Sequence, residues 1–328
     1  MNGALPQFRS SEGIDCGAVC LRRLQRRASV SGNFDRNYTV TGPIRLVLTN
    51  ASGDVDITGS ADGNVHVRGE VRVSGMGAGN SQKRLDAAIA NPPIEQKGDT
   101  IRIGKEVSNM RNISIAYSIQ VPHDTEVSVT VASGAQTVRG VRGPVKVQAA
   151  SGAIRVEKID RDTQLTTASG SVSASEVGDD VQITSASGSV KVSNAKGDVR
   201  VNAIAGTIQI AGPGGRVEAD TASGQVDIQG ASNNVKAHAV SGRVIVQGDP
   251  AANSYWELKT ASGSIQLNVP AAANFHLSAQ ALSGEIRTDI PIMIDEQGKH
   301  SLRARMGNGG ARVDVQTVSG EIRVSGAN

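Results

Sequence analysis

Apolar and polar residues alternate along the chain in short segments that begin with a Ser-Gly pair. In the segment Ala186-Ser187-Gly188-Ser189-Val190-Lys191-Val192, every second residue after the glycine is apolar, which is typical of a strand with one buried face. A weaker alternating segment follows nine residues later, most clearly at Gly197-Asp198-Val199-Arg200-Val201. Each unit therefore predicts two short strands, with Gly, Asn and Asp supplying the turns between them.

The Ser-Gly pairs recur every 18 residues through the middle of the chain, with Ala205-Gly206 in one place, and then at intervals of 21, 21 and 36 residues. The serines of this series are Ser133, Ser151, Ser169, Ser187, Ser223, Ser241, Ser262, Ser283 and Ser319. A two-strand unit cannot bury its apolar face alone, so the period predicts an all-β fold, a parallel β-solenoid with two strands per 18-residue coil, stacked in chain order. The two insertions, near Gly248–Asn253 and Pro270–Ala273, are expected to bulge at corners without shifting the register.

The regular repeat divides the chain into four parts. Residues 1–27 lack periodicity and are expected to be a disordered basic tail, and residues 28–131 an irregular β-rich cap of the solenoid. Residues 132–290 carry the repeats, and residues 291–328 a second cap with the last repeat. Within the first cap, strands are predicted near Ile44–Leu48, Val55–Ile57, Val65–Val73, Ile101–Ile103, Ile113–Val121 and Val127–Val131. One short helix is predicted over Ser81–Ala90, with Ser81 as its N-cap and Asn91-Pro92-Pro93 ending it.

Composition and charge exclude several classes of protein. The 328 residues include 38 glycines but only three Phe, three Tyr and one Trp, and 34 Lys and Arg against 31 Asp and Glu give a net charge of +3. This imbalance is too small to predict nucleic-acid binding. Cys16 and Cys20 have no nearby His or second Cys pair and predict no zinc site. No apolar stretch is long enough for a transmembrane helix, and no segment resembles an export signal.

The serine series is interpreted as a structural turn ladder. A nucleophilic serine needs a His or Lys base held against it, and the five histidines occupy no repeat position. A calcium-binding repeat is an alternative, but the Gly-Gly-x-Gly-x-Asp motif is absent and pairs such as Gly178-Asp179 offer one carboxylate per turn. No cofactor or metal site is predicted.

The outward residues of the first strand in each unit form a polar column with a candidate binding role. The column comprises Arg155, Ser173, Lys191, Gln209, Asp227, Ile245, Gln266, Arg287 and Arg323, of which Arg155, Lys191 and Asp227 are the candidate contacts. Taken alone, the column favours an ordinary solvated sheet surface over a binding face. Trp256, one of the seven aromatic residues, aligns with the inward Val235 and is predicted to fill the core.

The units "TASGSV", "SASGSVKV" and "TVSGEIRV", with "FDRNYTVTGPIRLVLTNASGDVDITG", "ANPPIEQKGDTIRIG" and "ISIAYSIQVP", extend from about residue 28 to the C-terminus. Together they resemble the bacterial putative-adhesin family of β-strand-repeat proteins, a domain of unknown function. The resemblance implies a β-solenoid of the cell envelope or cell surface with an adhesive or envelope-associated role, and no established catalytic residues.

Three functional hypotheses follow. The first is a non-enzymatic structural or adhesive module that binds a polymer, either a glycan or another envelope component, or a protein through its flat polar faces. The second is an envelope-stress or regulatory module that recognises a partner protein through residues 28–131. The third is a carbohydrate-cleaving β-helix enzyme, which would need two of its exposed acids, such as Glu218, Asp227 and Glu257, to face one groove. The first two expect an envelope location, with a cytoplasmic one as the alternative.

Overall fold

The computed structural model describes residues 28–75, 78–104 and 112–327. The predicted tail, with Cys16, Cys20 and the basic run Arg22–Arg27, lies outside the described residues. The described chain is mostly β, with a large sheet whose strands are mainly parallel, and one helix, α1, at Ala78–Ala90. The strands β1 to β25 are, in chain order, Ala28–Thr39, Ile44–Ser52, Val55–Ser60, Asn64–Gly75, Ile94–Lys97, Thr100–Ile103, Ile113–Pro122, Thr125–Ser133, Gln136–Val141, Val145–Ser151, Ile154–Ile159, Thr163–Ser169, Val172–Val177, Val181–Ala195, Val199–Ala211, Val217–Ala231, Val235–Gly248, Tyr255–Ser262, Ile265–Val269, Phe275–Ser283, Ile286–Thr288, Met293–Gln297, Ser301–Met306, Ala311–Ser319 and Ile322–Gly326.

The strands pair in two series, called here the first and second ladders. The first ladder runs β5-β6-β2-β8-β10-β12-β14-β15-β16-β17-β18-β24-β20-β23-β22. The second runs β1-β4-β7-β3-β9-β11-β13-β14-β15-β16-β17-β19-β25-β21. The long strands β14 to β17 contribute to both ladders, because each continues through a Ser-Gly corner or its Ala-Gly equivalent.

The 18-residue period is the register of the parallel pairing. Val145 pairs with Thr163, Thr163 with Val181, and Val181 with Val199. The first insertion leaves this register intact, as expected, since Ser241 pairs with Ser262 although 21 residues separate them. Across the second insertion, Ser262 and Ser283 do not pair directly, but both pair with Ser319 in the same column. A repeat unit, or coil, therefore places equivalent residues directly above one another, about 4.8 Å apart.

The stacking order departs from the chain order at the C-terminal end, where the prediction was wrong. Strand β18 pairs with β24, and β24 with β20, so the last coil of the chain lies between two coils that precede it. Strands β22 and β23 form an antiparallel hairpin, and β23 occupies the outer edge of β20. Because that edge is taken by the hairpin, the final coil pairs on the inner edge of β20.

The N-terminal part begins in register with the repeats. Strand β2 pairs in parallel with β8, and β3 with β9, although 81 residues separate the partners Asp56 and Thr137 and further strands lie between them in the chain. Beyond this first coil, β6 and β5 extend the first ladder, and β7, β4 and β1 the second. The six strands predicted here are confirmed, whereas β1 and β5 carried no recognised signal.

The predicted helix is confirmed, but its start is not. Helix α1 begins at Ala78, and Ser81 lies inside it, 4% exposed, so Ser81 is not the N-cap. Ser81 faces the sheet together with Leu85, and the helix packs on β1 and β4. Gly32 permits this packing, because a Cβ there would collide with the side chain of Ile89.

The core is built from the inward residues of both ladders. Val, Ile, Leu and Ala fill it, and the larger side chains such as Trp256 and Phe275 are fully buried. Trp256 pairs with Val235, and its Nε1 donates a hydrogen bond to the carbonyl of Asn233 at 2.7 Å. The prediction that Trp256 is a core residue is confirmed.

Candidate functional site

The predicted serines form one continuous column along the molecule. In stacking order the column is Ser52, Ser133, Ser151, Ser169, Ser187, Ala205, Ser223, Ser241, Ser262, Ser319 and Ser283. All nine predicted serines are exposed. Ser133 and Ser151 donate long hydrogen bonds of 3.5 and 3.4 Å to carbonyls of the preceding coil. Thr167 makes a shorter bond, at 3.1 Å, from inside the coil to the carbonyl of Ser169.

The glycine after each of these serines has a stronger structural role. Gly134, Gly152, Gly170, Gly188 and the equivalent glycines have φ between +124° and +152°, a region closed to residues with a side chain. A Cβ at Gly188 would also overlap the backbone carbonyl of Gly170 in the coil below. The recurring Ser-Gly pair is thus explained by its glycine, and nothing in this column provides a base for a nucleophile.

The predicted candidates Arg155, Lys191 and Asp227 occur in one column of the second ladder. Arg155 pairs with Ser173, Ser173 with Lys191, and the column continues through Gln209 to Asp227. Arg155 and Lys191 are exposed and Asp227 is half-buried. The structure therefore aligns the three residues on one surface, with Lys191 two coils from Arg155 and Asp227 two coils from Lys191.

From Ser173 to Gln266 this column is the centre of a wider surface, called here the polar face, made of three outward columns over six coils; Arg155 lies in the neighbouring coil, outside this face. Its eighteen positions carry seven hydroxyls, six amides, three charged and two apolar side chains. They are Ser171, Ser173, Ser175, Ser189, Lys191, Ser193, Thr207, Gln209, Ala211, Gln225, Asp227, Gln229, Arg243, Ile245, Gln247, Ser264, Gln266 and Asn268. None of the eighteen is buried, so the face offers solvent a regular array of hydrogen-bond donors and acceptors.

The first ladder carries a different surface, a network of ion pairs. Glu218 accepts hydrogen bonds of 2.8 Å from both Lys236 Nζ and Arg200 Nε. These donors, Lys236 first, hold the pKa of the Glu218 carboxyl below its ordinary value because they stabilise its charged form. The ammonium of Lys259 does the same for the pKa of Glu257, against burial that acts in the opposite direction. Both carboxylates are therefore firmly ionised.

This ionisation bears on the hypothesis of a carbohydrate-cleaving enzyme. A general acid in glycoside cleavage needs a carboxyl whose pKa is raised, and Glu218 and Glu257 have lowered ones. Asp227, the third acid considered, is on the second ladder and accepts a hydrogen bond from Gln229. The structure thus does not bring the three acids into one groove.

Two further groups of titratable residues were candidates for chemistry. Asp162, Asp179 and Asp180 bring carboxylate oxygens within 4.8 Å of one another, but Asp180 already accepts the amide hydrogen of Asp198 at 2.7 Å. His238 lies between two carboxylates, with Nδ1 3.3 Å from Asp220 and Nε2 3.6 Å from Glu257. The imidazole joins the ion pairs of neighbouring coils and has no aligned hydroxyl partner among these contacts.

Sequence reasoning missed an apolar surface on the first ladder. The residue just before each ladder serine, or before Ala205, is skipped by the strand pairing and projects outward. In the eight coils from Ser169 to Ser283 these residues are, in stacking order, Ala168, Ala186, Ile204, Ala222, Val240, Ala261, Val318 and Leu282, called here the apolar strip. In the coils before them the row continues with alanines only, at Ala150, Ala132 and Ala51. Its four large members are 52–74% exposed. The signal was present as Ile, Val, Leu and Val before the pairs at 205, 241, 283 and 319.

The apolar strip borders a long groove with a volume of about 1150 Å³. The outward residues two positions earlier in each coil form its second wall, and they are Thr166, Thr184, Asn202, Asp220, His238, Lys259, Gln316 and Gln280 in stacking order. Buried small residues between the two rows, such as Ala203 and Thr221, form its floor.

None of the helices in the described ranges is long and apolar enough to cross a membrane.

Parallel strands in an 18-residue register, a polar face and an apolar strip define a β-strand-repeat protein with extended surfaces. The chain belongs to the Toastrack DUF4097 family, whose model matches residues 44–325. The resemblance noted from the sequence is thereby confirmed. A search of curated proteins found no match.

Three solved structures are similar to the chain at low identity. They are a putative cell adhesion protein from Clostridium sporogenes (10% identity, TM-score 0.19, covering 91% of this chain and 100% of that chain), a putative lipid binding protein from Parabacteroides distasonis (8%, 0.33, 90% and 97%), and a putative adhesin from Bacteroides fragilis (13%, 0.23, 89% and 97%).

Proposed function

We propose that the chain is a non-enzymatic parallel β-solenoid of the cell envelope that binds a neutral polysaccharide along its polar face. The observation that carries the proposal is the chemistry of that face: seven hydroxyls and six amides in register over six coils. Hydroxyl and amide groups both donate and accept, as the hydroxyls of a sugar do. An extended glycan lying along the stack would meet at least one hydroxyl or amide group at every coil.

The charge of the polar face favours a neutral ligand over a charged one. Lys191 and Arg243 are opposed by Asp227, and Arg243 donates its Nε hydrogen bond to Ser264 at 3.3 Å. An acidic polymer would need a run of cations, which this surface lacks. The ion pairs lie on the first ladder, where lysines and arginines are already engaged with Glu218 and Glu257.

A binding role fits the polar face better than catalysis. The acids that an enzyme would need are ionised in ion pairs or lie on different ladders. A rigid array of weak contacts instead gives affinity by repetition along the ligand, as multivalent surfaces do. This agrees with the adhesive role that the family resemblance implies.

The test is a binding assay of the full chain against insoluble cellulose and chitin, with heparin beads as the polyanion. We expect binding to at least one neutral glycan that persists at high salt, and no retention on heparin. The double variant Gln209→Ala, Gln247→Ala removes two exposed amides of the polar face and should weaken binding about tenfold or more, at about 1 kcal/mol per lost hydrogen bond.

The matched control is Gln164→Ala, Gln182→Ala, the same change at two exposed glutamines paired on the first ladder. This variant should bind like the parent chain. Binding to heparin alone, no binding to any of the glycans, or equal weakening in both double variants would contradict the proposal.

A further inference from the structure

The apolar strip and the groove beside it are unused by the proposed polysaccharide site, which is on the other ladder. Ile204, Val240 and Leu282 expose 64%, 62% and 74% of their surface to solvent. A row of such side chains along one line marks a contact surface for a protein, a membrane or an apolar ligand. Its occupant can be inferred from the order of the residues within the strip.

Large and small residues are arranged so that the strip complements itself when reversed. Its eight members in stacking order are Ala168, Ala186, Ile204, Ala222, Val240, Ala261, Val318 and Leu282. Consider a two-fold axis that crosses the strip midway between the coils of Ala222 and Val240. It places the first member of the strip of one copy opposite the eighth member of the other copy, the second opposite the seventh, the third opposite the sixth and the fourth opposite the fifth. The pairs are Ala168–Leu282, Ala186–Val318, Ile204–Ala261 and Ala222–Val240, each with one large residue against an alanine.

The polar wall of the groove is compatible with the same axis. Reversal places Asp220 opposite His238, and Asn202 opposite Lys259, of the other copy. Like charges therefore do not face each other in this arrangement. Asp220 and His238, whose Oδ1 and Nδ1 atoms are 3.3 Å apart within one chain, meet the same pair of the other copy with the charges reversed. A two-fold contact of this kind uses the same patch on both partners and closes after two copies.

Neighbouring positions of the axis are poorer. An axis through the coil of Val240 opposes that valine to itself and Ile204 to Val318. An axis one coil towards the N-terminal end opposes Ala168 to Ala261, leaving a gap, and separates Asp220 from His238. Size and charge together select the axis between Ala222 and Val240.

We propose that the apolar strip is the interface of an antiparallel homodimer of this chain. Eight coils make the strip about 38 Å long, and three rows of side chains make it narrow. Such a contact is smaller than the roughly 800 Å² per partner of a standard stable interface. The dimer is therefore reversible and forms as the protein concentration rises.

Sedimentation velocity of the full chain over a wide concentration range tests the proposal. The parent chain should shift from monomer to dimer, and Val240→Lys should remain monomeric because it places two ammonium groups beside the axis. The matched control is Ile294→Lys, which charges an apolar residue outside the strip that is 52% exposed, against 62% for Val240, and should dimerise normally. Circular dichroism of each variant establishes that it is folded.

A size exchange tests the register itself. Ala222→Val opposes two valines and should weaken the dimer, Val240→Ala opens a gap and should also weaken it, and the double variant Ala222→Val, Val240→Ala should restore it. A parent chain that stays monomeric at every concentration overturns the proposal, as does a monomer that carries lipid in native mass spectrometry. Dimerisation that is insensitive to Val240→Lys, or a double variant weaker than both single ones, overturns it too.

Discussion

At the scale of single residues, the two corners of a coil make different demands on the backbone. The Ser-Gly corner has φ near +130° and admits only glycine. The other corner has φ between +54° and +73° and is occupied by Gly140, Lys158, Glu176, Asn194, Gly212 and Gly230 in successive coils. That left-handed conformation costs an ordinary residue about 1 kcal/mol, which is small enough for the residue type to vary at this corner. Lys158 and Glu176 therefore adopt the turn conformation that the sequence analysis expected only of Gly, Asn or Asp.

The first prediction follows from this difference. Gly188→Ala should lower the free energy of unfolding by about 1–3 kcal/mol from backbone strain alone, and further because its Cβ overlaps the Gly170 carbonyl. Ser187→Ala, at the exposed neighbour, should change it by less than about 0.5 kcal/mol. Urea unfolding followed by circular dichroism measures both. Equal losses would mean that the serine hydroxyl, not the glycine backbone, maintains the corner.

At the scale of the strand, alternation of apolar and polar residues was enough to predict most elements. Val190 and Val192 point inward at 1% exposure, whereas Lys191 is exposed, as the pattern predicted. The same pattern found the polar column, because outward residues 18 positions apart must align once the register is known. It could not find β5 at Ile94–Lys97, where one half-buried residue precedes three exposed ones.

The sequence did not predict features that depend on the path of the chain from one strand to the next. The last coil, β24 and β25, resembles every other unit, and its insertion between two earlier coils is decided by the hairpin β22–β23. The apolar strip escaped for another reason. Alternation along a strand tells only which residues point inward and which point outward. Val240 does not follow this alternation, because the pairing between neighbouring strands skips it and its side chain projects outward.

The second prediction tests the inward and outward assignment within one strand. Val190→Asp places an unpaired charge in the core and should cost about 3 kcal/mol or more of unfolding free energy. Lys191→Ser, one residue further on, should be nearly silent, within about 0.5 kcal/mol. Urea titration of both variants compares them directly. Similar stabilities would be incompatible with the register of β14 and its neighbours.

At the scale of the whole molecule, the two ladders carry different surfaces of one stack. The second ladder carries the polar face, and the first carries the ion pairs and the apolar strip. In the proposed dimer the strips meet along the first ladders, so each polar face is left open to a ligand. A dimer with two open polar faces would bind a polymer with higher avidity than a monomer, without any new kind of contact. The proposed dimer and the proposed polysaccharide site are therefore compatible in one adhesive assembly.

An envelope role makes a last prediction about where the molecule is found. Mild trypsin treatment of intact cells that express the gene from its native locus should release peptides from residues 132–325. The first cut should fall after Lys299, an exposed residue in the turn between β22 and β23, where the backbone is not paired with another strand. Mass spectrometry of the released fraction identifies the peptides, and a cytoplasmic enzyme of the same cells must stay intact. If a known surface protein is cut while this chain remains whole in the cell lysate, the polar face cannot meet an external polysaccharide, and an intracellular partner becomes the ligand to seek.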